Sequence, residues 1–466
     1  MSAPLGGGAA LQLWGGVECT VNRVGDRYFD QLTRSGHRHR LDDFDRFAAL
    51  GLRKLRMPVL WESIASRGDT GWLWADAAMG RMQAVGIDPV VGLLHHGSGP
   101  PDTSLLDPGF AAKAARHARA VAERYPHVIE WTPVNEPVTT ARFAALYGHW
   151  YPHARSAADF VRAVLSQVQA TVACMRAIRA VTPTARLVQT EDFGRVFGTP
   201  ALAGQVLHES ERRFLAVDLL CGRVDSRHPL WKWLRANGAT ERELLALCDA
   251  PCPPDLVGIN YYVTSDRWLD DRCERYPACT HGGNGRQRYA DVEAVRVVDP
   301  SAVSHLEVLL EVWQRYRRPV ALTEVHIGCS ADERARWLVE AWRAACEARD
   351  RGADVRAITA WALLGSYDWD VLVREHLGNY EPGVLDVSCG VPRATATTSL
   401  VKCLAQGRIP TDPALTAPGW WRRPERLLYP SNVRQLAPAA GTRLDRALAA
   451  RNGHVPPGGA ARRQSA

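Results

Sequence analysis

Two glutamates stand where short apolar, β-branched runs end. Glu136 lies in Trp131-Thr132-Pro133-Val134-Asn135-Glu136-Pro137, and Glu324 in Ala321-Leu322-Thr323-Glu324. They are 188 positions apart (324 less 136). A carboxylate delivered where a buried strand meets its loop is held ready for work in a cleft, although Glu136 with a proline behind it could equally mark a simple turn. Two carboxyl groups in different surroundings can divide acid–base labour, one kept protonated and the other ionised.

The elements that must position them read as alternating strands and helices. Eight short apolar runs are candidate strands: Leu11–Val17, Leu52–Leu60, Ile87–Leu94, Val128–Val134, Ala185–Thr190, Leu256–Asn260, Val320–Thr323 and Val355–Leu363. Between several of them lie amphipathic helical patterns, at Leu41–Leu50, Phe110–Tyr125, Phe160–Val181 and Arg334–Arg349. Strand–helix alternation implies a parallel sheet. Eight such units predict a (β/α)8 TIM barrel with long βα loops. No G-x-G-x-x-G opens the first helix, which argues against a dinucleotide fold and an NAD-linked reductase.

In such a barrel, working groups sit at the carboxyl ends of the strands. Those positions carry Glu18 and Asn22, Arg56, His95-His96, Asn135-Glu136, Glu191-Asp192, Asn260-Tyr261-Tyr262, Glu324-Val325-His326, Trp361, and Asp368-Trp369. Two carboxylates among Asn, Tyr, His and Trp suit a sugar site. Hydroxyls take polar partners, and the apolar face of a pyranose takes an indole. Glycoside cleavage needs one carboxyl group as proton donor and a second as nucleophile or base.

These segments, in this order, resemble glycoside hydrolase family 1, the retaining β-glucosidases and β-galactosidases, from about residue 13 to 386. The resemblance implies that Glu136 is the acid/base and Glu324 the nucleophile. It places Arg56, in Leu55-Arg56-Met57-Pro58, and Tyr262, in Gly258-Ile259-Asn260-Tyr261-Tyr262, beside the nucleophile. It assigns Asn22, His95, Asn135, Asn260, Trp361, Asp368 and Trp369 to the sugar, and leaves Glu18 and Glu191 as further candidates. This chain departs from the family pattern at four places. Val325-His326 replaces Asn-Gly, Asn22 a glutamine, Asp368 a glutamate, and His96 a tryptophan. The segments Val17–Arg23, Pro58–Glu62 and Thr323–His326 are most similar to a bacterial branch often fused to a dTDP-4-dehydrorhamnose reductase-type domain. That branch implies a sugar-nucleotide reductase as partner, with a sugar-binding or transglycosylating role as the alternative to hydrolysis. The family needs no cofactor or metal.

Composition narrows the remaining classes. The formal charge is +7 over 466 residues, yet the ten arginines and three acids after residue 404 account for all of it. A neutral body lacks the electrostatic footprint of a nucleic-acid domain. Eleven scattered cysteines fit reduced thiols. Cys248, Cys252, Cys273, Cys279 and His281 could be read as a zinc site, but their spacing matches no familiar module. No run suits a membrane span, and the Gly-rich start has no signal-peptide pattern, so a cytoplasmic protein is expected. The expected layout is a flexible start (1–10), a barrel domain (11–405), a surface-docked extension (406–435) and a basic, disordered tail (436–466). The tryptophans at 72, 74, 231, 233, 313, 337 and 342 are assigned to packing.

Overall fold

The structure, a computed structural model, describes residues 10–427. Eight strands close into one barrel: β1 (Gln12–Gly16), β2 (Lys54–Pro58), β3 (Asp88–Gly92), β4 (Glu130–Thr132), β5 (Arg186–Asp192), β6 (Leu256–Tyr262), β7 (Val320–His326) and β8 (Val355–Ala360). Every neighbouring pair is parallel, and β1 closes the ring by pairing with both β2 and β8. Each of the eight predicted runs contains or overlaps one of these strands. The fold is a (β/α)8 barrel.

Helices form the outer layer: α1 (Asp43–Ala49), α2 (Asp69–Val85), α3 (Phe110–Arg124), α4 (Ala157–Val181), α5 (His305–Tyr316) and α6 (Ala331–Asp350), of which α1, α3, α4 and α6 match the four predicted helical patterns. Their apolar faces and the outward side chains of the strands make one large core, which takes in the seven tryptophans assigned to packing. Serine caps start α4, α5 and α6, each accepting a backbone N–H of the first turn. Among the described residues, no helix is long and apolar enough to cross a membrane.

Strand alternation sorts the barrel interior into layers. Trp14, Val90, Val188, Leu256, Ala321 and Ala357 form a separate apolar cluster. One step further along the strands the inward residues turn polar, with Arg56, Thr132, Thr190, Asn260, Thr323 and Thr359 all buried. Gly258 makes this layer possible, because a Cβ there would lie 2.7 Å from both Thr190 Cγ2 and Thr323 Oγ1. Gly16 likewise makes room for the Trp361 ring, which its Cβ would meet at 2.5 Å.

Past the last barrel helix (Ala396–Ala405), the chain folds back onto α6. Trp420 and Trp421 are fully buried there. Trp421 packs edge-on against Trp337, ring centres 4.8 Å apart, and donates to Glu340 Oε2 at 2.9 Å. Arg422 pairs with the same carboxylate at 2.5 Å, and Trp420 N donates to Glu333 Oε2 at 3.1 Å. Leu427 is exposed, while the expected docking of Leu428 and Tyr429 and the basic tail lie outside the described residues. Trp421→Ala should lower stability by about 3–5 kcal/mol, read as an earlier urea midpoint. An unchanged midpoint would mean that this segment adds nothing to the barrel.

Candidate active site

Glu324 owes its direction to an irregularity in β7. Ala321 belongs to the inner cluster and Leu322 to the outer core, so plain alternation would aim Thr323 inward and Glu324 at the helices. The register slips after Leu322 against both β6 and β8. This bulge turns Glu324 into the barrel mouth, a common use of bulges beside functional sites. Thr323 still faces inward and donates to Asn260 Oδ1 at 2.7 Å.

Arg56 of β2 meets the redirected carboxylate. Its Nη1 donates to Glu324 Oε1 at 2.6 Å and to the Thr323 carbonyl at 2.9 Å, and its Nη2 donates to Asn135 Oδ1 at 2.8 Å. The Tyr262 hydroxyl donates to the other oxygen, Glu324 Oε2. Trp361 covers the guanidinium, 4.7 Å from the ring centre, and stacks on His95 at 5.6 Å. His95 Nε2 lies 4.0 Å from Glu324 Oε1.

Glu136 enters by a different route. Its backbone is left-handed, with φ 47°, and its carbonyl accepts the first helical hydrogen bond from Thr140 N at 2.9 Å. Pro137 follows at the first position of a short helix (Pro137–Ala141), where its missing N–H is harmless. This turn presents Asn135 and Glu136 to the barrel mouth in succession. Asn260 Nδ2 donates to Glu136 Oε1 at 2.5 Å, and His96 Nε2 stands 3.8 Å from Oε2. Asn135 Oδ1 also accepts from Thr190 Oγ1 at 2.6 Å, so one amide ties β4 to β5 and to Arg56.

The two carboxyl groups therefore share a cleft but not an environment. Burial and the neighbouring Glu324 push Glu136 well above the usual carboxylate range, with further repulsion from Asp192 and Glu191. Burial also raises Glu324, but the charge of Arg56 and the hydrogen bonds from Tyr262 and Arg56 oppose it. Arg56 and Tyr262 favour the ionised form of Glu324, but desolvation outweighs them. The order remains, with Glu324 the more acidic of the pair. Burial keeps both histidines neutral, His95 well below its usual range and His96 at about 3.

Glu18, Glu136, Glu324, Tyr262, Trp361 and Trp369 line one cleft. Arg56, His95 and Asn135 line a smaller cavity that shares Trp361 with it, and Asn260 is buried between the two glutamates. Three predicted residues are used elsewhere. Asn22 is buried, its Nδ2 donating to the Val373 carbonyl at 3.0 Å. Asp368 is buried in an ion pair with Arg34 and accepts from the backbone of Leu377 and Asn379. Each is one methylene shorter than the residue of the resemblance, and loop backbone has captured it. Glu191 accepts from Val138 N at 2.7 Å and from Thr139, capping the short helix that follows Glu136.

Sequence reasoning missed Thr139, Phe143, Leu372 and Glu381 in the cleft wall. Glu381 sits in a two-residue strand after β8 and pairs with His326 Nε2 at 3.1 Å. A histidine after Glu324, where asparagine-glycine was expected, was the one signal that a new partner was needed. Of the suspected zinc ligands, no three of Cys248, Cys252, Cys273, Cys279 and His281 gather at metal-binding distance among the described residues.

No family model matches the sequence. The chain is similar to the phospho-cellobiase of Klebsiella oxytoca, 23% identical over 73% of this chain and 78% of that one. It is similar too to the 6-phospho-β-glucosidase of Dickeya chrysanthemi (21%, over 74% and 79%) and thermostable β-glucosidase B of Thermobispora bispora (25%, over 77% and 78%). Among solved structures, a β-glucosidase from Thermotoga maritima in complex with azafagomine superposes with a TM-score of 0.67 at 17% identity, over 81% of this chain and 88% of that one. The fold is theirs. A family 1 β-glucosidase from Thermotoga maritima gives 0.66 at 18% identity over the same shares.

The electrostatic account has a direct check in carboxyl-carbon NMR. Glu136 should titrate well above an ordinary glutamate, and Glu324→Gln, by removing an adjacent anion, should move that titration to lower pH. A Glu136 titration unmoved by the substitution would show that the carboxyls do not interact.

Proposed function

We propose that the chain is a retaining β-glycosidase acting on O-glycosides through a covalent glycosyl-enzyme intermediate. The observation that carries this reading is the pair of buried carboxyl groups facing one cleft in unequal surroundings. Glu324 is met by a guanidinium and a phenol, whereas Glu136 is met by the Asn260 amide and neighbouring acids. Sequence likeness to a β-glucosidase and two enzymes of phosphorylated β-glucosides supports the same bond type.

Protonated Glu136 gives its proton to the glycosidic oxygen while ionised Glu324 attacks the anomeric carbon from the opposite face. Arg56 and Tyr262 fix the attacking carboxylate and spread its charge. Once the ester forms, the charge of Glu324 is gone and the repulsion that kept Glu136 protonated falls. Glu136 can then act as base on the incoming water, the exchange of roles that retention requires. Asn135 Oδ1 already accepts from Arg56, Thr190 and Asn260, so its Nδ2 is the group left to meet a sugar hydroxyl. His95 sits 3.3 Å from that nitrogen. Trp361 and Trp369 offer apolar faces within the cleft.

Glu324→Gly should abolish turnover of activated aryl β-glycosides. Added azide should restore it and give a product of inverted anomeric configuration. Undiminished turnover by the variant without azide would refute the nucleophile assignment.

A further inference from the structure

The cleft wall is unusually one-sided in charge. Among the described residues, five carboxyl-bearing ones line it, Glu18, Glu136, Asp192, Glu324 and Glu381, and no lysine or arginine does. Its two histidines offer no free positive charge. His96 is held neutral by burial, and His326 is engaged with Glu381. The nearest guanidinium, Arg56, is committed to Glu324, Thr323 and Asn135. Two of the five acids have no part in the proposed bond cleavage and no cationic partner within ion-pair distance among the described residues. Asp192 accepts from Gly194 N at 2.8 Å and Ser265 Oγ at 3.1 Å. Glu18, at the end of β1 and 5% exposed, has one oxygen held by Thr20 N at 2.9 Å.

Buried carboxylates ordinarily have a cation or a full set of hydrogen bonds, since an unpaired buried charge is costly. Glu18 has no cation, and its hydrogen-bonding support comes only from Thr20 and Trp369, so burial and the charge of Glu324 raise its pKa to about 7 where it lines the cleft. A ligand can supply what the protein withholds. An ammonium group would pair with Glu18 and hold it ionised, against a wall with no competing lysine or arginine among the described residues. A phosphate would lose its hydration, meet five carboxyl groups and find no donor cation.

Resting on the glycosidase reading above, we propose that the cleft selects an amino sugar, with Glu18 as the carboxylate that takes the ammonium, and rejects phosphorylated sugars. The chain would thus differ in substrate charge from the phospho-cellobiase and the 6-phospho-β-glucosidase it resembles.

The test is calorimetric binding of hydrolysis-resistant aryl 1-thio-β-glycosides of glucose, 2-amino-2-deoxyglucose, 6-amino-6-deoxyglucose and glucose 6-phosphate. At least one amino ligand should bind about 10- to 100-fold tighter than the glucoside, the worth of a hydrogen bond to a charged group. The phosphate should bind weakest. Glu18→Gln should erase most of the amino preference, read as the ratio of amino to neutral ligand affinity, with an unchanged circular dichroism spectrum showing that the protein has folded. Equal binding of amino and neutral ligands overturns the proposal, as does an amino preference that survives Glu18→Gln. So does tightest binding of the phosphate. Because these ligands need not be cleaved, a chain that ranks them as expected yet leaves aryl O-glycosides intact would lose the hydrolase reading and keep this one.

Discussion

Everything at the barrel mouth depends on one buried contact, the guanidinium of Arg56 against Glu324. Arg56 is 7% exposed and its donors also reach the Thr323 carbonyl and the Asn135 amide, so it connects β2 with β7 and with the end of β4. Buried ion pairs seldom add net stability, because desolvation offsets their attraction. What this one adds is asymmetry. Two glutamates face one cleft, and only one of them has a cation beside it.

That asymmetry is built from backbone as much as from side chains. The bulge in β7 takes a side chain that alternation would aim outward and turns it inward. The left-handed turn at Glu136 does the equivalent at the end of β4, and Glu191 caps the short helix that begins there. Beneath them Gly258 lets Thr190 and Thr323 approach, and these hydroxyls fix the amides of Asn135 and Asn260. The polar layer is thus tied together before any ligand arrives, as electrostatic preorganisation requires.

The barrel was legible in the sequence because periodicity and strand-end chemistry agree over eight units. The eight runs needed no long-range information to be recognised. Glu136, Glu324, Arg56 and Tyr262 were legible through the family resemblance of their strand-end segments, whereas the bulge and the left-handed turn that aim the two carboxyl groups were not. Asn22 and Asp368 were not, since their direction depends on loop conformation. Asn22 bonds to Val373 and Asp368 to Arg34, partners 351 and 334 residues away. Glu191 was open between a ligand-facing and a capping role, and it caps. It is next to Asp192, which lines the cleft, and alternation turns the two in opposite directions. Glu381 carried no local signal at all. The sign of the Glu324 shift also needed coordinates, because sequence names the charged partner but not the depth of burial that outweighs it.

The central claim is that Arg56 and Tyr262 make Glu324, and not another acid of the cleft, the attacking group. Mass spectrometry of the protein treated with an activated 2-deoxy-2-fluoro β-glycoside, which slows release of a covalent intermediate, addresses it most directly. The account predicts a single added glycosyl mass on the peptide bearing Glu324. A label on Glu18, Glu136 or Asp192, or hydrolysis of the reagent with no covalent adduct at any stage, would contradict it.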